Sequence, residues 1–110
     1  MIVVDRAVLS TFAVPLMDVA TIENRGYFFK ISHRFNDTSA VHFIPTQVSE
    51  TLRFTTFTHA FSYPSGAYSY YIYEYDNTLP PPTDETGLNE LANGILKITE
   101  TGNIDGNIYL

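Results

Sequence analysis

The 110 residues predict an all-β domain whose six to seven strands pair antiparallel in two facing sheets. Three observations carry that prediction. Tyr68, Tyr70, Tyr71, Tyr73 and Tyr75 crowd around Ile72, a density of aromatic and β-branched residues that favours pleated backbone. Tyr27, Phe29, Ile31 and Phe35 stand at alternate positions, with His33 the one polar member of the series, the period of a strand buried on one face. Turn-forming clusters, Asn36-Asp37-Thr38-Ser39 and Pro64-Ser65-Gly66, punctuate the chain between such runs.

In order, Ile2 to Val4 is a short apolar stretch, and Ala7 to Val14 is the first body strand, closed by Pro15, which cannot donate to a ladder. Residues 15–25 connect, with a short helical turn expected over Asp18–Ile22. The second strand spans 26–35, with Tyr27, Phe29, Ile31, His33 and Phe35 on its core face. A four-residue turn then returns the chain into 40–45 and sets His33 opposite His42 and Ile31 opposite Ile44. A fourth strand over 51–61 changes phase between Phe54 and Phe57, the mark of a bulge or a break.

The tyrosine strand covers 67–76. With apolar residues on both faces, it reads as a central strand, covered on both sides. Residues 77–93 form a long connection stiffened by Pro80, Pro81 and Pro82 that carries Leu88 and Leu91 back to the body. The last body strand is 94–100. Expected core residues are Leu9, Phe29, Ile31, Ile44, Phe54, Tyr70, Ile72 and Leu96.

Gly66-x-Tyr68-x-Tyr70 resembles the start of the sixth strand of immunoglobulin-like sandwiches, Gly-x-Tyr-x-Cys, with Tyr70 where Cys would stand. The resemblance implies an immunoglobulin-like fold with a tyrosine corner, in which the Tyr68 hydroxyl bonds backbone within Tyr63–Ser65. Gly66 and Tyr68 are thus the structural residues of this turn.

Composition narrows function. A net charge of −6 supplies too few cations to displace counterions from a phosphate backbone, which argues against nucleic acid. Without cysteine there is no disulfide frame and no thiolate metal site. The first residues, Met1-Ile2-Val3-Val4-Asp5, lack a signal-peptide pattern, and no apolar run reaches membrane length, so synthesis and assembly inside a cell are expected.

Chemistry has few candidates. His33 and His42 could face each other across the hairpin, but no third metal ligand is fixed, and packed histidines are the plainer reading. Glu74 and Asp76 share a strand face and could act as paired carboxylates, though a solvated strand end explains them as well. No nucleophile motif or phosphate-binding loop occurs. The expectation is a non-enzymatic domain with no catalytic, cofactor or metal residues. A sugar-binding platform of Tyr63, Tyr68 and Tyr73 is the rival from another class.

Over Ala7–Glu100 the order of signals is similar to that of small β-sandwich virion proteins of Bacteroidetes phages and prophages, including crAss-like phages. The likeness runs through Ala7-Val8-Leu9-Ser10-Thr11, Tyr27-Phe28-Phe29-Lys30-Ile31 and Val41-His42-Phe43-Ile44. It continues through Ser49 with Arg53-Phe54-Thr55-Thr56-Phe57, then Gly66–Glu74, then Gly94-Ile95-Leu96-Lys97-Ile98. The chain departs from that pattern at Asn93, where the family carries an acidic residue, and in its triproline loop. The resemblance implies a virion structural protein, an auxiliary or decoration component of the capsid made in the host bacterial cytoplasm. Its partners would be other virion proteins, above all the major capsid protein, with many copies per particle. A neck or tail component is the alternative location.

Residues 1–110 thus read as one domain with candidate docking segments at 1–6 and 103–110. Ile2, Val3, Val4, Ile108, Tyr109 and Leu110 would be exposed hydrophobes unless paired with a neighbour or folded back. Pro80, Pro81 and Pro82 are a second contact candidate, since a stiff loop loses less entropy on docking.

Overall fold

The computed structural model describes residues 1–16, 22–33, 36–51 and 54–100. Eight strands run in order: β1 (Ile2–Asp5), β2 (Leu9–Val14), β3 (Arg25–His33), β4 (Asn36–Phe43), β5 (Thr46–Glu50), β6 (Thr55–Ala60), β7 (Gly66–Asp76) and β8 (Asn89–Thr99). They form a five-stranded sheet, β1-β8-β7-β3-β4, and a three-stranded sheet, β2-β6-β5. No helix occurs among the described residues.

The all-β expectation holds, with corrections. Among the described residues eight strands replace the expected six or seven. The large sheet is mixed, because β1 lies parallel to β8, with Ile2 opposite Leu96 and Val4 opposite Ile98. Residues 51–61 are two elements. Phe54 closes a turn, its N–H donating to Thr51 Oγ1 (3.1 Å) and its carbonyl accepting from the Thr51 N–H (2.8 Å). That turn is the phase break. The strand expected from Ala7 starts at Leu9, because Ala7 turns the chain between sheets at a φ of 61°. The last strand begins at Asn89, ahead of the expected Gly94, with a bulge that leaves Leu91 unpaired between Glu90 and Ala92. The helical turn expected over 18–22 and the position of Phe35 lie largely outside the described residues.

The β3–β4 hairpin shows how much register decides. Ile31 pairs with Val41, three residues from the expected partner Ile44, and His33 pairs with Asn36. A shift by an odd number turns each side chain over. Val41 and Phe43 therefore pack on the core, and Ile44 is 42% exposed. Extending this register would put Pro45 opposite Tyr27. Proline has no N–H to give, and the chain crosses there to the other sheet as β5.

One core lies between the sheets. Phe12, Val14 and Phe57 of the small sheet meet Tyr27, Phe29, Ile31, Tyr70, Ile72, Leu96 and Ile98 of the large one. Phe29 touches Phe12, Phe43 and Phe57 with ring centroids 5.1–6.0 Å apart. Of the expected core, Phe29, Ile31, Tyr70, Ile72 and Leu96 are buried, whereas Leu9, Ile44 and Phe54 are 69%, 42% and 45% exposed. Leu9 is on the wrong parity of β2, whose inward residues are Phe12 and Val14.

β7 is the central strand of the large sheet, as its composition predicts. Its second face bears a separate cluster of Phe28, Tyr73 and Tyr75, with Tyr71 and Leu88 against it. Two of its rings lie across glycines of neighbouring strands. Gly94 is opposite Tyr70 and Gly26 opposite Tyr75. A Cβ on Gly94 would stand 2.9 Å from the Tyr70 ring, and one on Gly26 2.3 Å from that of Tyr75. Glycine at these positions is what lets an aromatic ring lie flat on the sheet.

Candidate functional site

The turn that opens β7 is built as the sequence implies. Gly66 takes a φ of 145°, a conformation that side chains disfavour. The Tyr68 hydroxyl, two residues on, donates to the Pro64 carbonyl (2.7 Å), and the residue is 5% exposed. Burial pushes the phenol pKa up. His33 lies edge-on to the Tyr68 ring (5.0 Å).

The end of the body holding Arg25 and Asp76 carries a polar clasp between the sheets. Arg25 Nε donates to the Tyr27 hydroxyl (2.8 Å), which donates in turn to Glu50 of β5. Arg25 Nη2 lies 3.4 Å from the same carboxylate, and the buried Thr55 hydroxyl donates to it at 3.2 Å. The bond to Tyr27, more than any other contact, raises the Arg25 pKa. Burial is the main cause of the raised Tyr27 pKa.

Beside the clasp, Glu74 is 1% exposed, so it is no solvated strand end. It accepts from the Ile22 N–H (3.0 Å) and from Asn89 Nδ2 (2.7 Å). Asp76 instead initiates the next loop, accepting from the Thr78 N–H (3.0 Å) and hydroxyl (2.6 Å). The two carboxylates that sequence parity joins therefore do different structural work.

The long loop is latched across the outer face of the large sheet. Glu85 lies 3.0 Å from Lys30 Nζ and 2.6 Å from His42 Nε2, two residues paired across β3 and β4. The Lys30 ammonium foremost holds the Glu85 carboxyl down at about 2. Lys30 also sits 5.6 Å over the Tyr71 ring, and His42 stacks on Phe28 at 5.4 Å. Leu88 packs into the outer cluster and Leu91 against the main core, as expected of this loop.

The facing pair of His33 and His42 does not form. They occupy opposite faces of the large sheet, and each histidine of the chain packs on an aromatic ring, His59 on Phe43 at 4.3 Å. Among the described residues no cluster of three metal-ligating side chains occurs.

The remaining sequence candidates fall in three places. Ile2 and Val4 are buried in their own core, leaving Val3 at 57% exposure. Pro80 and Pro81 are exposed and Pro82 half-buried. Ile108, Tyr109 and Leu110 lie outside the described residues. The sugar platform is not assembled, since Tyr68 and Tyr73 are buried.

A cleft of ≈160 Å³ opens where the β3–β4 ladder forks at Pro45, with Tyr27, Phe57 and Tyr75 as apolar walls and Gln47 and Asn77 among its polar groups. Sequence reading missed the clasp, the latch and this cleft. Each joins residues more than 20 apart in the chain, and only the correct hairpin register would have brought Lys30 and His42 together.

Compared with known proteins, the chain matches no family model, no curated protein and no solved structure.

Proposed function

We propose that the chain is a non-enzymatic structural component of a phage virion, an auxiliary or decoration protein seated in many copies on the capsid shell beside the major capsid protein. The observation that carries this reading is where the polar groups are used. Glu50, Glu74 and Glu85, the carboxylates best placed for chemistry, are engaged as fasteners between sheets, strands and loop. A body held this way offers a rigid unit for repetition, and the resemblance over residues 7–100 points to virion assembly.

Within this reading the fold is an immunoglobulin-like sandwich. The strand orders β1-β8-β7-β3-β4 and β2-β6-β5 support it, as does the tyrosine corner at the start of β7. The contacts to neighbours come from Val3, from the Pro80-Pro81-Pro82 loop and from residues 103–110. Modest contacts suffice when copies are many.

Purified particles test the proposal. The full chain should be found in them, and a truncation lacking residues 103–110 should stay folded yet be lost from them. Normal incorporation of the truncation would remove that segment as the docking element. Absence of the full chain from particles would overturn the virion reading itself. A carbohydrate-binding module is the second reading, favoured by the aromatic walls and side-chain amides of the Tyr27–Tyr75 cleft. Saturable binding of a sugar, lost in Asn77→Ala, would select it.

A further inference from the structure

The edges of the two sheets are guarded unequally. β5 is bulged, follows Pro45 and ends in Glu50. β1 is four residues long and ends in Asp5. Both carry the protections that keep sheet edges from pairing. β2 carries none. Leu9–Val14 pairs with β6 in unbroken register, contains no charge and no proline, and among the described residues has no second strand hydrogen-bonded to its other edge, near which β1 packs.

β2 itself is uncharged, and the charged residues that lead into it, Asp5 and Arg6, are engaged with Thr99 and Glu100. Leu9 on β2 is 69% exposed and Val8 just before it 42%, two of the nine large hydrophobic side chains exposed among the described residues. The outward positions of the small sheet, Thr11, Ala13, Thr56, Thr58 and Thr46 among them, bear no charged side chain. Yet the chain carries a net charge of −6. Copies of it can approach most cheaply where no acid faces another acid, and this edge is such a place.

We propose that the free edge of β2 is a self-association surface, at which β2 of two copies pairs antiparallel across a twofold axis. Residues facing each other across a ladder must point to the same side of the sheet. Centring the axis on Thr11 meets that condition. It sets Leu9 of each copy against Ala13 of the other, covering the exposed Leu9, and joins two three-stranded sheets into one of six.

An edge of six residues about 20 Å long, on a sheet about 10 Å deep, presents roughly 200 Å², well short of the roughly 800 Å² per partner of stable dimers. The contact is therefore weak in dilute solution and strong only where copies are already held side by side. It would exist with or without a particle.

Sedimentation of the full chain over a concentration series tests it. Wild type should dimerise reversibly as concentration rises. Thr11 is exposed, so a charge there is compatible with folding, which the thermal midpoint checks. Thr11→Lys and Thr11→Glu each set like charges opposite one another and should raise the dissociation constant at least about tenfold. An equimolar mixture of the two should recover dimerisation, as heterodimer.

A wild-type protein that stays monomeric into the millimolar range would overturn the proposal. So would dimerisation indifferent to both substitutions. Dimerisation that appears only when residues 101–110 are removed would assign the edge to that segment instead, and equally overturn it.

Discussion

At β3 and β7 both faces of the five-stranded sheet bury side chains, but under different covers. The inner face meets a second sheet, and its side chains include Phe29, Ile31, Ile72, Leu96 and Ile98, along with Tyr27, Tyr68 and Tyr70, with Phe12 and Phe57 opposite. The outer face meets a loop, and its side chains are Phe28, Tyr73 and Tyr75, flanked by Tyr71. A sheet supplies its own paired backbone and a continuous apolar surface, so most residues beneath it are purely apolar. Two of the tyrosines there, Tyr27 and Tyr68, hydrogen-bond to Glu50 and to the Pro64 carbonyl. A loop leaves water close at hand. Tyrosine suits that cover, since a tyrosine can bury its ring while keeping its hydroxyl within reach of water. A loop must also be tied down, and Glu85 does so by reaching Lys30 and His42. The tyrosine strand is tyrosine-rich because it serves both covers at once.

The largest effect should come from matched truncations on the two faces. Phe29→Ala removes a ring held by Phe12, Phe43 and Phe57, where two sheets cannot close the gap, and should cost about 3–5 kcal/mol. Phe28→Ala opens a space under the loop side, where neighbours can settle, and should cost about 2–3 kcal/mol, close to the transfer value alone. Chemical denaturation of both variants measures the difference. Equal losses would mean that the loop-side cluster is as rigid as the sheet-on-sheet core.

Tyr68→Phe probes the junction of the two regions, where the turn feeds the central strand. Deleting the hydroxyl leaves the Pro64 carbonyl without that donor and should cost about 1–2 kcal/mol. Thermal unfolding of the pair decides the point. An unchanged midpoint would show that water replaces the hydroxyl at no cost and that the corner contributes nothing to stability.

The inner region was more legible in the sequence than the outer one, for a physical reason. Period-two alternation reports which residues share a face, so Phe29, Ile31, Ile72 and Leu96 could be placed in the core from spacing alone. The tyrosine corner was legible because its bond spans only four residues, Pro64 to Tyr68. Alternation does not report register. One three-residue slip in the β3–β4 hairpin misplaced Ile44 and paired the wrong histidines. Nor does it distinguish an edge from a paired strand, so β1 and β5 went unrecognised as body strands. The clasp of Arg25 with Glu50 and the latch of Lys30 with Glu85 join positions 25 and 55 residues apart, and no local pattern encodes such separations.

The smallest effect concerns the tie that makes a loop serve as a cover. Glu85 has its carboxyl held at about 2, against 4.5 for a free glutamate, by the bond from Lys30 first and then by its own backbone N–H and His42. A carboxyl whose pKa is depressed by folding contributes stability that is complete above the unfolded value and is lost as pH falls through the folded one. The latch should therefore act in full above about pH 4.5, weaken between 4.5 and 2, and be gone below that. Its side chain is about one-third exposed, so solvent screening keeps the contribution within about 1 kcal/mol. Glu85→Gln should lower the thermal midpoint slightly at pH 7, and the gap from wild type should close as pH falls from 4.5 towards 2. Hydrogen exchange should rise in the loop over 77–88 while the inner strands stay protected, since the loop would lose its charged tie and keep only packing such as that of Leu88. A gap that keeps its size to pH 2 would mean that the loop is held by packing rather than by charge.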